Sequence, residues 1–372
     1  MTKSNSGQSK NCVYIMAVTG ISAVLLGIGI SVLISELNFE DNAIDFKYNE
    51  IPCVELHFSS KLFKGEISGP ESMAYVGDDK IISGMDDGRV MELDINKNTT
   101  KVLYTLKKSR PLGMRVINET TLVVADAVLG LYSYNFKTKE IVFLIKAEDV
   151  VEGMPVLLLD DVAYSQKRNM LYVTQISVKY GFDEGLSMLA HGGKHGRVLT
   201  YNFNTREVNC LSPRFAFTNG IEIDRDEKYL LINEFSRFTT HKYDLNSNEL
   251  SEFARFSGLP DNIRSDGFDG YWVGVNAANK PSLYYFQKYP IFRFIFHLLI
   301  ESNILSEEAL TSPHGSFMHI NRVGNVDKCF YSNDGRTFNQ VSEVLQLDGL
   351  LFVGSFLDKV DYIAQIEMKD LH

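Results

Sequence analysis

Six short apolar runs rich in β-formers recur along the chain, at residues 80–84, 121–125, 170–174, 229–233, 271–275 and 350–354. A shorter segment precedes each one: PESMAYV (70–76), PLGMRVI (111–117), LDDVAYS (159–165), TNGIEID (218–224), PDNIRSD (260–266) and SEVLQLD (342–348). Most runs are followed by a turn and a further strand, as in GRVMELDI (88–95) and GRVLTYNF (196–203). Each unit therefore reads as strand, turn, strand, turn, strand, with a fourth strand supplied by the linking segment. Units recur every ~40–50 residues, the period of a β-propeller blade. Six of them predict an all-β fold, a six-bladed β-propeller over residues 65–368. A β-sandwich also alternates and turns, but it has no reason to repeat matched pairs of first and second strands.

The inner strand of each propeller blade lines the central channel. The equivalent starting positions hold Glu71, Leu112, Asp160, Asn219, Asp261 with Asn262, and Ser342. Any one of these acidic or amide residues alone suits a turn. Their common place in the repeat is what points to a shared axial site. Carboxylates gathered in a narrow channel repel one another and lose hydration unless a cation compensates. Glu71, Asp160, Asn219, Asp261 and Asn262 form an all-oxygen set suited to calcium (Ca2+), which takes ~6–8 oxygen ligands. Magnesium prefers fewer carboxylates in a tight octahedron, and zinc would want His or Cys, absent from these positions.

Residues 11–35 carry no charge, and their apolar run is long enough to span a bilayer. It exceeds the ~7–15 residues of a cleaved signal's apolar core. Lys3 and Lys10 precede it and Glu36, Glu40 and Asp41 follow. The positive-inside rule then predicts a cytoplasmic tail (1–10), a transmembrane signal anchor (11–35) and a stem (36–64). The protein would be a single-pass type II membrane protein, its propeller in the endoplasmic reticulum lumen or outside the cell. Sequons at Asn98 and Asn118 agree with a glycoprotein facing that side. The formal net charge of −10 argues against nucleic acid. Of Cys12, Cys53, Cys210 and Cys329, none forms a CxxC pair. At most one disulfide forms among the last three, and spacing does not say which.

The motifs GPES (69–72), DDGRV (86–90), RPLG (110–113), TNG (218–220), PDNIR (260–264) and GYWVG (270–274), in this order, resemble the strictosidine synthase-like and paraoxonase-like family of six-bladed propellers. The resemblance covers about residues 65–368. It implies calcium ligands at Glu71, Asp160, Asn219, Asp261 and Asn262, with Asp160 standing where the family usually has Asn. A second, structural calcium of paraoxonases would need an Asp where this chain has Ser72, although Asp161 fits its other ligand position. The paraoxonase general-base histidines fall near Leu112 and Ala127, and the strictosidine synthase catalytic Glu falls at Ser342. Glu343 is adjacent, but strand alternation would point it to the opposite face. Alkaloid condensation is thus not expected.

What remains is an arylesterase-like hydrolase of small-molecule esters or lactones, with calcium as electrophile and Asp160 or Asp261 taking the proton. The alternative is a non-enzymatic lumenal propeller, binding or chaperone-like, with structural calcium and a protein partner at its rim. His191 and His195, with Gly192-Gly193 between them, are expected in a surface loop. Residues 290–310, inside a 281–313 insertion in blade five, are the one helix-like piece. Such a helix would pack on the rim, close over the channel mouth or touch the membrane.

Overall fold

The computed structural model describes residues 47–302, 304 and 314–371, with the isolated positions 24, 27 and 29. The expected anchor at 11–35 otherwise lies outside the described residues. Among those described, no helix is long and apolar enough to cross a membrane.

Six antiparallel four-stranded units are arranged as a propeller, and the first five run outward in chain order. Their inner strands are Met73–Gly77, Pro111–Asn118, Leu159–Ser165, Thr218–Ile223, Leu259–Ser265 and Val344–Leu347. They fall where the sequence repeat places them, and neighbouring inner strands pack against one another around the axis. The second strands coincide equally well, from Lys80–Gly84 in blade one to Leu350–Val353 in blade six.

Each sheet has two faces to bury, so the core is divided among the gaps between blades. Ala74, Ile82, Met114 and Val124 fill the gap between blades one and two. Leu231, Ile263 and Val273 join blades four and five, and Trp272, Phe317, Val344 and Leu351 join five and six. Phe352 and Ile363 meet Met73 and Ile81, which brings blade six back onto blade one.

The ring is closed by the N-terminal side of the chain. Ser60–Leu62 pairs antiparallel with Ile363–Glu367 and supplies the outer strand of blade six. Val54–Glu55 lies parallel to the outer strand of blade five, Val326–Ser332. Part of the segment read as stem is therefore built into two sheets. Cys53 is disulfide-bonded to Cys329 beside this pairing, and among the described residues Cys210 is a free thiol.

Two connections on one face of the propeller carry helices. In blade three the link between second and third strands contains Gly185–His191. In blade five it contains Pro281–Lys288 and Pro290–Glu301. The first of the three and the Pro281–Lys288 helix were not expected, and the expected 290–310 helix ends at Glu301. Inner strands start on one face and second strands return to it. All three helices therefore cover the face where the candidate ligands sit.

Candidate metal centre

A backbone irregularity places the ligand candidates. In four inner strands the ladder breaks for two residues at the start: between Pro111 and Met114, Leu159 and Val162, Thr218 and Ile221, and Pro260 and Ile263. The skipped pairs are Leu112-Gly113, Asp160-Asp161, Asn219-Gly220 and Asp261-Asn262. A bulge of this kind re-aims side chains that strict alternation would send to opposite faces. The expected ligands thus lie within strands rather than in turns, except Glu71, which just precedes its strand.

Two glycines let the blades approach closely enough. A Cβ on Gly113 would lie 2.4 Å from the Asp161 Cα, and one on Gly220 would lie 2.6 Å from the Asn262 Cα. Both distances are shorter than any real carbon contact. Across the ring, the Asn262 N–H donates to the Ser342 carbonyl at 3.0 Å. The Ser342 hydroxyl donates to the Glu71 carbonyl at 2.7 Å. Ser342 is a brace between blades, not a ligand.

Glu71, Asp160, Asn219, Asp261 and Asn262 are all buried. The structure brings the three carboxyls together electrostatically: Glu71 feels Asp261, and Asp160 feels both Glu71 and Asp261. Burial, then Asp261 and Glu343, raises the Glu71 carboxyl well above its usual value. Burial, then Glu71 and Asp261, does the same to Asp160. Burial lifts Asp261 to about 8, with hydrogen bonds from Asn276 and Asn219 partly offsetting it. Asn276 donates to Asp261 Oδ2 at 2.9 Å, and Asn262 donates to Glu71 Oε1 at 2.6 Å.

The remaining oxygens decide what the site suits. Glu71 Oε2, Asp160 Oδ2, Asn219 Oδ1, Asn262 Oδ1 and Asn276 Oδ1 are buried and accept no hydrogen bond from the protein. Buried acceptors left unpaired cost ~1–3 kcal/mol each, more when charged. Five in one region, all oxygen, fit a hard divalent cation. Among the described residues, no three His, Cys, Asp or Glu side chains gather to hold a metal by themselves. The amides are therefore essential to the set, and Asn276 joins the candidates that the sequence repeat named.

Below this layer sits a cation the sequence reading missed. The Arg264 guanidinium donates to Asp161 Oδ2 at 2.7 Å and Oδ1 at 2.9 Å, and to the Ser72 hydroxyl at 3.2 Å. It also pairs with Glu343 Oε2 at 2.5 Å. Burial alone would lower its pKa, but Asp161 and Glu343 more than reverse that and hold it above the ordinary arginine value. Glu343 does not point away from the axis, as alternation suggested. It precedes the strand Val344–Leu347, and Oε1 accepts the Met73 N–H at 2.6 Å.

Apolar side chains roof the centre. Leu112, Ala127, Leu158, Ile176, Tyr180 and Met188 cluster there with Phe217. The two positions matching paraoxonase histidines, Leu112 and Ala127, belong to this roof. Beside it a narrow cleft of ≈ 10 Å³ is lined by Ile176, Met188, Gly192, Gly193, His195, Phe217 and Ser236. His191 ends the Gly185–His191 helix and does not lie in an open surface loop. Its ring is 5.9 Å from Tyr180 and 5.0 Å from His297 of the Pro290–Glu301 helix, while His195 is 5.8 Å from Tyr180.

The strictosidine synthase family profile matches residues 160–248, which spans Asp160 and Asn219. The human adipocyte plasma membrane-associated protein is 27% identical over 94% of this chain and 89% of its own length. The chain is thus similar to the strictosidine synthase-like β-propellers. The Arabidopsis thaliana strictosidine synthase-like protein 4 is 25% identical, covering 82% of this chain and 80% of its own. The solved structure of the calcium-binding protein regucalcin from Agrobacterium tumefaciens shares the fold. It has a TM-score of 0.58 and 10% identity, over 85% of this chain and 95% of that one. Within the strictosidine synthase-like framework, Ser342 stands where the catalytic Glu of strictosidine synthase is expected. The nearby Glu343 is committed to Arg264.

Proposed function

We propose that the axial oxygens hold calcium and that the protein is a calcium-dependent hydrolase of small esters or lactones. The observation that carries this is the set of buried, unpaired oxygens on Glu71, Asp160, Asn219, Asn262 and Asn276. Calcium bound among them would polarise a substrate carbonyl and acidify a bound water. Asn276 steadies Asp261 through Oδ2. Asp160 or Asp261 takes the proton from the attacking water. The roof around Leu112 and Phe217 keeps bulk water out.

The test is turnover of aryl esters and lactones by the purified protein, with and without a calcium chelator. Chelator-sensitive turnover that disappears in Asn219→Ala with Asp261→Ala is the expected result. Turnover no higher than that of the double variant would sink the hydrolase reading. The narrowness of the cleft favours a second reading, a non-enzymatic propeller with structural calcium and a protein partner. That reading predicts calcium-dependent melting without turnover.

The disulfide supports an oxidising compartment, lumenal or extracellular. With residues 11–35 as a signal anchor, the protein is proposed to be a single-pass type II membrane protein carrying glycans at Asn98 and Asn118. Both asparagines are exposed.

A further inference from the structure

Beneath the proposed calcium ligands lies a second cage of oxygens, and a side chain fills it. Five oxygens face the Arg264 guanidinium. Nη1 donates to Asp161 Oδ2 at 2.7 Å and to the Ile263 carbonyl at 2.8 Å. Nη2 donates to Asp161 Oδ1 at 2.9 Å and to the Ser72 hydroxyl at 3.2 Å, and pairs with Glu343 Oε2 at 2.5 Å. Ser72, Asp161, Ile263 and Glu343 lie on, or one residue before, the inner strands of blades one, three, five and six.

The cage is rigid and closed to solvent. The Val162 and Ile221 N–H groups donate to Asp161 at 2.8 and 2.9 Å. The Ser72 hydroxyl donates to Glu343 Oε2 at 2.9 Å, and the Met73 N–H to Oε1 at 2.6 Å. Ser72, Asp161 and Glu343 are 0% exposed, and Arg264 is 3% exposed. Two carboxylates, a hydroxyl and a carbonyl are donors of the kind calcium takes. Here they surround a cation that belongs to the chain. An ordinary buried ion pair needs one carboxylate from one neighbour. This guanidinium collects oxygens from four blades around the axis, as a bridging metal ion would. One positive charge answers two negative ones, and the remainder reaches the layer above: Asp161 and Glu343 both raise the carboxyls of Glu71 and Asp261.

We propose that Arg264 is a tethered substitute for a structural metal ion, and that the calcium above it is a single exchangeable ion whose loss leaves the ring assembled. This rests on the axial calcium of the proposed function and sharpens it. A cation fixed to the backbone cannot be chelated, so blade register does not depend on calcium supply. The upper ion is then free to bind and leave as that supply changes. Removing the guanidinium should also uncover a second calcium site, because two buried carboxylates without a cation are costly.

The test counts calcium bound to the full-length protein after dialysis at about 1 mM calcium, and follows near-ultraviolet circular dichroism in chelator. Wild-type protein is expected to bind one ion and to keep its spectrum when that ion is removed. Arg264→Ala vacates the cage and is expected to bind one ion more than wild type, and to show the wild-type spectrum only with calcium present. Arg264→Lys keeps a tethered cation and should bind no additional ion. Arg264→Ala combined with Asp161→Asn and Glu343→Gln has a neutral cage and should return to the wild-type count. Two ions in wild type, loss of its spectrum in chelator, no additional ion in Arg264→Ala, or failure of that variant to fold in calcium each overturns the inference. Wild-type protein that binds no calcium removes the axial ion of the proposed function. The additional ion in Arg264→Ala then still decides whether the guanidinium stands in for a metal.

Discussion

The Arg264 guanidinium grips both oxygens of Asp161, at 2.7 and 2.9 Å, at a point in the propeller where neither side chain meets water. It ties blade five to blade three directly, and through Glu343 and Ser72 to blades six and one. Removing one partner of a buried pair costs ~3–5 kcal/mol, whereas replacing all partners by neutral ones is often tolerated. Arg264→Met is therefore expected to unfold at markedly lower denaturant concentration. Adding Asp161→Asn and Glu343→Gln should recover part of that loss. If the triple variant is no more stable than the single one, the network is not held by charge.

Calcium should stabilise the fold by an amount that rises with the logarithm of its concentration above Kd. Chelation is expected to lower the melting temperature of the wild-type protein. Glu71→Gln should weaken calcium binding, measured by calorimetry, by about tenfold or more while the circular dichroism spectrum stays unchanged. Unaltered affinity would remove Glu71 from the ligand set.

The metal-free protein should lose stability as pH rises. Asp261 is raised from 3.8 to about 8 in the fold. Its contribution is fully present below the unfolded value and is lost as pH climbs through the folded one. Glu71 and Asp160 shift in the same direction. Melting of chelated protein should fall between pH 5 and pH 8, and the gap to calcium-loaded protein should widen. A gap independent of pH would mean that these carboxyls do not face the ion.

Gly220→Ala tests the close approach of blades four and five. Its Cβ would meet the Asn262 Cα at 2.6 Å and the Asp261 carbonyl at 2.6 Å, both backbone atoms that cannot swing away. A loss of ~1–3 kcal/mol is expected in urea unfolding, together with weaker calcium binding. Gly77→Ala, where a Cβ meets nothing within 4 Å but φ is +89°, should cost only backbone strain and leave calcium binding intact.

The strands were legible because their apolar runs and turns repeat with one period, and five ligand candidates because they share one place in that repeat. Arg264 and Glu343 were hidden by the rule that found the strands. Alternation assigns faces by parity, and the two-residue bulge at Asp261-Asn262 resets the parity just before Arg264. A surer signal was a charge within the inner-strand segment PDNIRSD and another in SEV, both demanding a partner if buried. The Gly192-Gly193 pair pointed to a surface loop at His191. With φ of 71°, Gly192 is instead the residue that ends a helix. Pro281 and Pro290 each sit at the first turn of a helix, a signal for two helices where one was expected. The pairing of Cys53 with Cys329 required the strand Val54–Glu55 to lie along blade five, which no local pattern announces.

The order of attachments near the N-terminus has a mechanical consequence. A pull on the chain from residue 47 reaches Cys53 before it reaches Ser60–Leu62, the strand that closes the ring. At Cys53 the load passes through a covalent bond into Cys329 and the outer strand of blade five. The closing strand, held only by hydrogen bonds and packing, is shielded from tension. The disulfide thus works as a strain relief, like the clamp that keeps a tugged cable from working loose at its joint.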